Sequence, residues 1–479
     1  MLTRLHINGF KNLANVEIAF GPFTCIAGAN GVGKSNLFDA IIFLRDLTDY
    51  SLTEAAARVR DPLARTGDLQ AIFRQTTSSP VQNVSFEADF VVPKNVTDDF
   101  GRQATPSTTF LRYKLTLKYV PKSVATSERI EIVEEKLTYI QKGHARRLLG
   151  FPHSQSFRDS IIVGRRTKVL ISTEFDNGQS IINLHQDGSQ GRPFRVPAAT
   201  SPKTILGGIN TDSHPTVLAA RREMQSWTLL QLEPSALRQP DNFSAESKVG
   251  ANGAHLPATL LRLDATTEVA NQLASLISDV KAISVDQDEG RRLNTLVVTS
   301  RDGVSHPARA LSDGTLRFLA LAVMSADPEA GRLICLEEPE NGIHPSRIPA
   351  MLSLLESIAV DSREPADSLD NPLRQVIINT HSPSVVSSLS HDALIITRPV
   401  RENGSTVAEF CCLEKTWRAK REESLVKSMR VISKSDLLDY LTEEPIVKPK
   451  LPSREHVVTV RQTAIQLGLF DYVSSTSDQ

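Results

Sequence analysis

The sequence predicts an α/β protein that combines a mixed sheet with an antiparallel β-rich lobe and a short helical insertion. Three observations predict it. A strand pattern near the N-terminus ends in a glycine loop, alternating strand patterns fill residues 84–182, and helical and apolar strand patterns alternate over residues 315–382. The last pattern is typical of a parallel sheet. The chain shows no sustained heptads, so we expect no long coiled coil.

The composition is that of an ordinary globular protein. The 479 residues are 40% hydrophobic and 23% charged, with a net charge of -1. This charge provides no global attraction to nucleic acid or to an anionic membrane. The four cysteines lack the spacing of a disulfide framework or a zinc site. The sequence shows neither a signal core nor a spanning stretch, so we expect a cytoplasmic protein with no membrane partner.

The order of patterns predicts five segments. Three short N-terminal strands and a following helix precede the strand-rich region, and helical patterns surround "TVLAARREMQSWTLLQL" and "EVANQLASLISDV". We predict an N-terminal part of a nucleotide-binding head (1–83), a β-rich lobe (84–204), a helical insertion (205–300), a C-terminal part of the head (301–400) and a C-terminal extension (401–479), which is a candidate partner-docking segment.

The stretch "GANGVGKS" fits the phosphate-loop pattern G-x-x-x-x-G-K-[ST]. Glycines let backbone N–H groups approach phosphate oxygens, and the helix that follows adds its positive end. Lys34 would reach the β- and γ-phosphates of ATP, and Ser35 would ligate Mg²⁺. A mere glycine-rich turn is the alternative, but it would not explain the strand before the loop and the helix after it. The candidate nucleotide-binding residues here are Gly28, Asn30, Gly31, Gly33, Lys34, Ser35 and Asn36.

Two adjacent carboxylates end the apolar run "LICLEE". Taken alone, such a pair is more often a strand end that meets solvent. Beside a phosphate loop, Glu337 is a candidate Mg²⁺ ligand together with Ser35, and Glu338 is the candidate general base that orients the attacking water.

Two further segments fit the same site. "ALSDGTLRFLAL" places Ser312 and Gly314 at a helix start, which is either an ordinary N-cap or a second anion-binding site. "INTHSP" ends a predicted strand at His381, where the imidazole is a catalytic candidate facing the γ-phosphate.

The ordered set "GANGVGKSNL", "LSDGTLRFLAL", "LICLEEPENGIHP" and "INTHSP" resembles the ABC-type ATPases of the SMC/RecF/OLD class. The resemblance implies a P-loop NTPase head in which residues 28–35 are the Walker A loop, 337–338 the Walker B pair, 312–314 the signature and His381 the switch histidine. It also implies that ATP is sandwiched between two heads of a homodimer or higher oligomer, with "ENGIHP" crossing the interface. Lys11 and Asn12, in the opening "LHINGFKNL", are further candidate nucleotide-binding residues.

The sequence departs from that class in three ways. The signature usually reads Ser-Gly-Gly-Gln, whereas here Asp313 brings a negative charge near the expected γ-phosphate. The Q-loop is not evident, and Gln75 is a candidate for it. The region after His381 lacks the carboxylate pattern of a Toprim nuclease. What remains resembles the stand-alone predicted AAA-family ATPases of anti-phage systems of the Septu and PARIS type.

The leading functional hypothesis is an ATPase whose ATP-dependent head-to-head association controls a separate effector protein, with a nuclease in anti-phage defence as the favoured effector. The alternative is a RecF-like repair ATPase that binds DNA through "KGHARR", "GRRTK" or "KTWRAKRE". A transporter ATPase subunit is disfavoured by the Glu-Glu pair and the insertions. A P-loop small-molecule kinase leaves "LSDG" and "ENGIHP" unexplained.

Overall fold

The protein is seen in a computed structural model, which describes residues 1–437 apart from 62–66, 77–80, 124–126, 165, 167, 189–190, 278, 368–369, 403, 425–428 and 434. Residues 1–434 form one compact unit. Residues 435–479 separate as a second unit, of which only the first three residues are described.

The strands are β1 (Leu2–Asn8), β2 (Val16–Ala19), β3 (Phe23–Ala27), β4 (Asn83–Val91), β5 (Val96–Thr97), β6 (Gln103–Ala104), β7 (Phe110–Val120), β8 (Arg129–Tyr139), β9 (Ile171–Asp176), β10 (Gln179–Leu184), β11 (Phe194–Pro197), β12 (Trp227–Leu230), β13 (Asp241–Asn242), β14 (Val280–Asp288), β15 (Leu293–Ser300), β16 (Ser305–Pro307), β17 (Leu333–Glu337), β18 (Gln375–Thr380), β19 (Leu394–Glu402), β20 (Ser405–Leu413) and β21 (Arg430–Ile432). The α-helices are α1 (Lys34–Asp46), α2 (Leu52–Arg58), α3 (Ala145–Leu149), α4 (Gln155–Ile161), α5 (Ile205–Gly208), α6 (Pro215–Gln225), α7 (Pro234–Leu237), α8 (Leu256–Leu263), α9 (Thr266–Leu276), α10 (Asp313–Ala326), α11 (Ile348–Ile358), α12 (Pro383–Ser388) and α13 (Trp417–Ser424).

The larger sheet is the β-rich lobe. Its eight strands run in the order β11-β10-β9-β8-β7-β4-β1-β2, and every neighbouring pair is antiparallel. Alternate residues of β1, β4 and β7 are buried, as expected for strands with one face on a core. The first two strands of the chain therefore belong to this lobe, whereas β3 joins the second sheet.

The second sheet carries the predicted nucleotide site. Its order is β12-β17-β18-β3-β19-β20-β21, and the first five of these strands run parallel to one another. Their carboxyl ends meet at one edge, where ligands bind in sheets of this kind. Strands β20 and β21, from the predicted C-terminal extension, complete the sheet.

Helix α1 lies in the core shared by both sheets. Leu37, Phe38, Ile41 and Leu44 are fully buried, and they share one hydrophobic cluster with residues of β1, β4, β7 and β17. The Phe43 ring stands 5.7 Å from the Phe86 ring, centroid to centroid, across this cluster. Burial of this kind fixes the start of the helix, where the phosphate loop ends.

The segment expected to be a helical insertion is of mixed structure. Besides α5–α9 it contains β12 and the strands of a small antiparallel sheet, β13-β15-β14, to which β16 is added. The difference has a simple origin, because β15 alternates between half-buried and buried residues with the period of a strand. The mixed α/β fold with an antiparallel lobe is confirmed.

The described helices are short, and the cysteines lie in the interior. The longest described helix, α10, has 14 residues, so no long coiled coil occurs in this part of the chain. None of the described helices combines the length and the apolar character that crossing a membrane requires. All four cysteines are buried, and none of them forms a disulfide bond.

Candidate functional site

The glycine loop joins β3 to α1 in a conformation that needs its glycines. Gly31 and Gly33 have φ angles of 79° and 115°, in the region that side chains disfavour. A Cβ atom on Gly33 would lie 2.6 Å from the Asn12 Oδ1, and one on Gly28 would lie 2.5 Å from the Thr397 carbonyl oxygen. Around Gly31 there is instead open space. The loop is therefore tightly packed at Gly28 and Gly33, and it is open to solvent or ligand at Gly31.

Lys34 is a buried cation over this loop. Its side chain is 5% exposed, and its Nζ donates to the carbonyls of Gly28 at 2.7 Å and Ala29 at 2.9 Å. Burial lowers the pKa of Lys34, and the nearby carboxylates Glu338, Glu340 and Glu337 act in the opposite direction. No carboxylate of the described chain forms an ion pair with it, so the ammonium is suited to an anionic ligand.

The structure places Asn12 and Lys11 in different settings. Asn12 Nδ2 donates to the Val32 carbonyl at 3.0 Å, and Asn12 Oδ1 accepts from Asn36 Nδ2 at 2.8 Å. Asn12 therefore connects the glycine loop at Val32 to the first turn of α1 at Asn36. Lys11 Nζ donates to Asp39 Oδ2 at 2.8 Å, so its ammonium already has a partner on α1. Nucleotide binding by either residue stays a prediction.

Glu338 follows β17 and is held by three groups. Its Oε1 lies 2.8 Å from the His381 Nδ1, its Oε2 accepts from Asn341 Nδ2 at 2.8 Å, and its N–H donates to Asn379 Oδ1 at 3.1 Å. Its φ of 46° is unusual for a residue with a side chain. Such backbone costs roughly 1–3 kcal/mol and clusters at functional sites.

The electrostatics keep Glu338 ionised. Burial alone would raise its pKa, but the hydrogen bonds from Asn341 and His381 and the charges of His381 and Lys34 outweigh it, so the pKa is lowered. An ionised carboxylate beside a histidine can accept a proton from water, which is the role expected of a general base.

Glu337 ends β17 with its carboxylate toward two amides. Its Oε2 accepts from Gln231 Nε2 at 3.2 Å, and its Oε1 accepts from Asn379 Nδ2 at 3.4 Å. Gln231 directly follows β12, the parallel neighbour of β17. Sequence reasoning missed Gln231 because only the strand order brings it to Glu337. Gln75, the Q-loop candidate, instead donates local hydrogen bonds to the carbonyls of Gln70 and Phe73.

Glu340 is a second residue that sequence reasoning missed. It is 7% exposed, its Oε1 accepts a hydrogen bond from the Thr380 hydroxyl, and its Oε2 has no hydrogen-bond partner among the described residues. Burial raises its pKa. Thr380 also accepts from the Ser382 N–H at 2.9 Å, and its carbonyl accepts from the Gly28 N–H at 3.2 Å. Glu340 thereby connects the turn after β17 to the loop of His381.

The predicted signature caps α10. Ser312 is the N-cap, and its hydroxyl accepts from the Thr315 N–H at 3.3 Å. Asp313 is paired with Arg238, which also donates to the Leu311 carbonyl at 3.1 Å. In the part of the chain that the structure describes, no hydrogen bond joins Ser312 to the phosphate loop.

The donor set at this edge fits Mg²⁺ and ATP. Mg²⁺ prefers oxygen ligands and keeps several waters, and the Ser35 hydroxyl and the Glu337 carboxylate supply such oxygens. The described residues contain no group of three His, Cys, Asp or Glu side chains that could hold a metal ion. A metal here would therefore depend on the phosphates of a nucleotide, for which the open centre of the loop provides the N–H groups.

Two family models match the chain. One, described as "AAA domain, putative AbiEii toxin, Type IV TA system", matches residues 161–387, and a second, described as "AAA domain", matches residues 4–145. The first range includes Glu337, Glu338 and His381, and the second includes the glycine loop.

Curated relatives are RecF proteins, similar over short segments. "DNA replication and repair protein RecF" of Anaeromyxobacter dehalogenans (strain 2CP-1 / ATCC BAA-258) is 45% identical over 60 residues, which is 12% of this chain and 16% of that protein. RecF of Paenarthrobacter aurescens (strain TC1) is 35% identical over 74 residues, 15% of this chain and 17% of that protein. The chain thus spans about a sixth of the length of these relatives.

Solved structures with a similar arrangement are SMC heads. The SMC head bound to the C-winged helix domain of ScpA is 14% identical, covers 86% of this chain and 98% of that one, and has a TM-score of 0.45. The SMC head domain from Thermotoga maritima is 13% identical, covers 85% and 97%, and has a TM-score of 0.38. The family matches and the loop geometry together support an AAA-type P-loop NTPase domain, with partial sequence similarity to RecF.

Proposed function

We propose that the protein is an ATPase that converts ATP and water to ADP and phosphate. The observation that carries the proposal is the position of Glu338. Its ionised carboxylate is held by His381 and Asn341 at 2.8 Å each and lies at the end of β17. Only β18 separates β17 from β3, the strand that leads into the phosphate loop. General acid–base catalysis requires a group positioned in this way.

Each residue of the site has a distinct proposed role. The loop N–H groups and Lys34 bind the phosphates, while Ser35 and Glu337 would hold Mg²⁺, which would neutralise phosphate charge when bound. Glu338 accepts the proton of the attacking water. His381 orients Glu338 through the Nδ1–Oε1 hydrogen bond and faces the γ-phosphate, and Gln231 orients Glu337.

The proposal extends to a pair of heads. Ser312 is exposed at the start of α10, where the first N–H groups of a 14-residue helix can receive an anion. Its contacts lie within its own turn, which favours a role toward the nucleotide of a second copy. The association would then depend on ATP and would control a separate effector, with a nuclease in anti-phage defence as the favoured one.

The alternative of a RecF-like DNA-binding ATPase rests on the RecF similarity, which extends over 15% of the chain or less in the two relatives described above. Two of the basic runs that it needs contribute buried arginines. Arg166 is 5% exposed and donates to the Asp187 carbonyl at 2.8 Å, and Arg418 is 1% exposed and donates to the Ala19 carbonyl at 2.9 Å. Neither can contact phosphates of DNA in this conformation, so we rank this function second.

Glu338→Gln tests the proposed function. The amide keeps the shape but cannot take a proton, so ATP should bind and persist while hydrolysis falls by a factor of ~100 or more. Asp361→Asn is a control, because Asp361 is an exposed carboxylate in the loop before β18. Unchanged turnover in Glu338→Gln would exclude Glu338 as the base.

A further inference from the structure

A cavity of about 520 Å³ lies at the edge of the parallel sheet opposite the phosphate loop. Residues from the end of β4, from α4 and from the loops that lead into β17 and β18 line it. Its volume is within the range of small-molecule sites, which is roughly 300–1,000 Å³. Nothing in the proposed ATP reaction uses this cavity, because the reacting groups lie at the carboxyl ends of the same strands.

The lining is cationic. Lys94, Arg332 and Arg374 contribute to it, and Asp367 is the carboxylate among the described lining residues. Asp367 Oδ1 already accepts from the N–H groups of Asp370 at 2.8 Å and Asn371 at 3.1 Å. The cavity therefore presents more positive than negative charge to a ligand.

Arg332 forms a long ion pair with the buried Glu223 and keeps spare hydrogen-bonding capacity. Its side chain is 38% exposed, and the nearest carboxylate oxygen, Glu223 Oε2, is 3.9 Å away, beyond hydrogen-bond distance. Its guanidinium donates no hydrogen bond to a described residue. An arginine fork of this kind matches a carboxylate or phosphate group in two-point contact.

Much of the remaining wall is apolar and stiff, with Asn95 and Ser160 as polar residues in it. Pro93, Pro328 and Pro372 line the cavity together with Val92, Ile161 and Leu373. A proline-rich, apolar wall beside an arginine suits a ligand with an apolar body and one anionic end.

Three elements connect the cavity to the proposed ATP site: β17 and β18 start beside the cavity, and α10 ends beside it. Arg332 directly precedes β17, which leads to Glu338, and Arg374 directly precedes β18, which leads to His381. The Gln375 N–H donates to the Arg332 carbonyl at 2.8 Å, so the starts of the two strands are joined. Each strand covers roughly 17–20 Å from the cavity to the catalytic edge.

The third element is α10. The Arg374 guanidinium donates to the carbonyls of Met324 at 3.3 Å, Ser325 at 3.2 Å and Asp327, which end this helix. Ser312 caps the other end of the same helix. A ligand that shifts the loops at 332 or 374 would therefore act on both parts of the proposed composite ATP site.

We propose that this cavity is an effector site for a small organic anion, with a carboxylate or phosphate group on an apolar body, and that its occupancy changes the rate of ATP hydrolysis. Arg332 binds the anionic group, Lys94 adds charge, and the proline-lined wall receives the body. The effector role rests on the proposed ATPase function, whereas binding itself does not.

Phenyl phosphate and benzoate serve as probes, titrated by ligand-observed saturation-transfer NMR. The full chain carrying Lys34→Ala is used, so that the phosphate loop contributes little. Both probes should bind, and the stronger one shows whether phosphate or carboxylate is preferred. Adding Arg332→Gln should weaken binding about ten-fold or more, as expected when a charge-assisted hydrogen-bonded pair is lost.

Arg291→Gln is the matched control, because Arg291 is 81% exposed on the β14–β15 hairpin and does not line the cavity. Binding of neither probe, or equal binding by the Arg332→Gln and Arg291→Gln proteins, would overturn the site. Lys94→Gln, at an exposed position, provides a second variant if Arg332→Gln unfolds at a lower temperature.

A second arm measures ATP turnover of the chain without the Lys34 substitution. Saturating probe should change the rate at least about two-fold, and Arg332→Gln should abolish that response while leaving basal turnover unchanged. Binding with no change of rate would overturn the effector role alone. Absence of any ATPase activity would overturn the proposed function, and the binding arm would still decide whether the site exists.

Discussion

The Glu338 Oε1 lies 2.8 Å from the His381 Nδ1, although the two residues are 43 positions apart in the chain. They meet because β17 and β18 are parallel neighbours whose carboxyl ends share one edge of the sheet. The contact defines the catalytic end of the proposed ATP site. It predicts that His381 acts through Glu338, as well as toward the nucleotide.

His381→Ala should therefore lower kcat more than it raises KM for ATP. The carboxylate loses one of the two side chains that fix its oxygens, while the phosphate loop is unchanged. Steady-state kinetics separate the two parameters. His381→Asn, which can still donate to Glu338, should recover part of the loss, and an equal effect of both substitutions would argue against orientation by this hydrogen bond.

Lys34→Ala should weaken ATP binding strongly. Lys34 is the side-chain cation of the glycine loop, and among the described residues its ammonium donates to backbone carbonyls alone. Calorimetric titration with ATP measures the affinity. Lys11→Ala is an informative comparison, because Lys11 is bound to Asp39 and should affect ATP affinity less. Unchanged affinity in Lys34→Ala would mean that the loop is not the site.

The Arg238–Asp313 pair predicts a compensating effect on turnover. Arg238→Ala leaves the Asp313 charge unpaired at the start of α10, where a phosphate is expected, so ATP turnover should fall. Replacing both residues by alanine removes the charge and should restore much of the activity. Because an exposed ion pair contributes only ~0–1 kcal/mol to stability, melting temperatures should change little in either protein. Equal activity of the single and double variants would contradict this prediction.

The sequence was sufficient for the parts of the site that lie within one continuous segment. The phosphate loop follows a buried strand and starts a helix, as "GANGVGKS" predicts, and "LICLEE" and "INTHSP" end adjacent strands of one sheet. Gln231 and Glu340 could not be predicted, because their partners are set by strand order and by a turn that folds back on Thr380. The pairing of Asp313 with Arg238 was equally hidden, since 75 residues separate them.

The β-rich lobe offers a prediction about pH. Glu135 is fully buried, its oxygens accept from the N–H groups of Ile205 at 2.7 Å and Leu206 at 2.9 Å, and burial raises its pKa to about 7 from the ordinary value of 4.5. The unfolded chain therefore loses this proton at lower pH than the folded protein does. The contribution of Glu135 to stability should fall as pH rises from about 4.5 to 7 and stay constant above that window.

Melting temperatures of the wild-type protein and of Glu135→Gln, measured across about pH 4 to 8 (a window set by the two pKa values), test this prediction. Glutamine does not titrate, so the wild-type protein should lose stability relative to the variant as pH rises through the window. A constant difference between the two proteins would show that folding leaves the pKa of Glu135 at its ordinary value of 4.5.

Hydrolysis of ATP at a site shared between two heads is tested most directly by a mixing experiment. Ser312→Arg should leave ATP binding by one head nearly intact but abolish turnover, and Lys34→Ala should abolish turnover by losing ATP. In a mixed dimer one site carries both substitutions and the other carries neither, so ATPase activity should return when the two proteins are combined. A mixture as inactive as its parents, with both variants folded and shown to exchange subunits, would contradict the shared site.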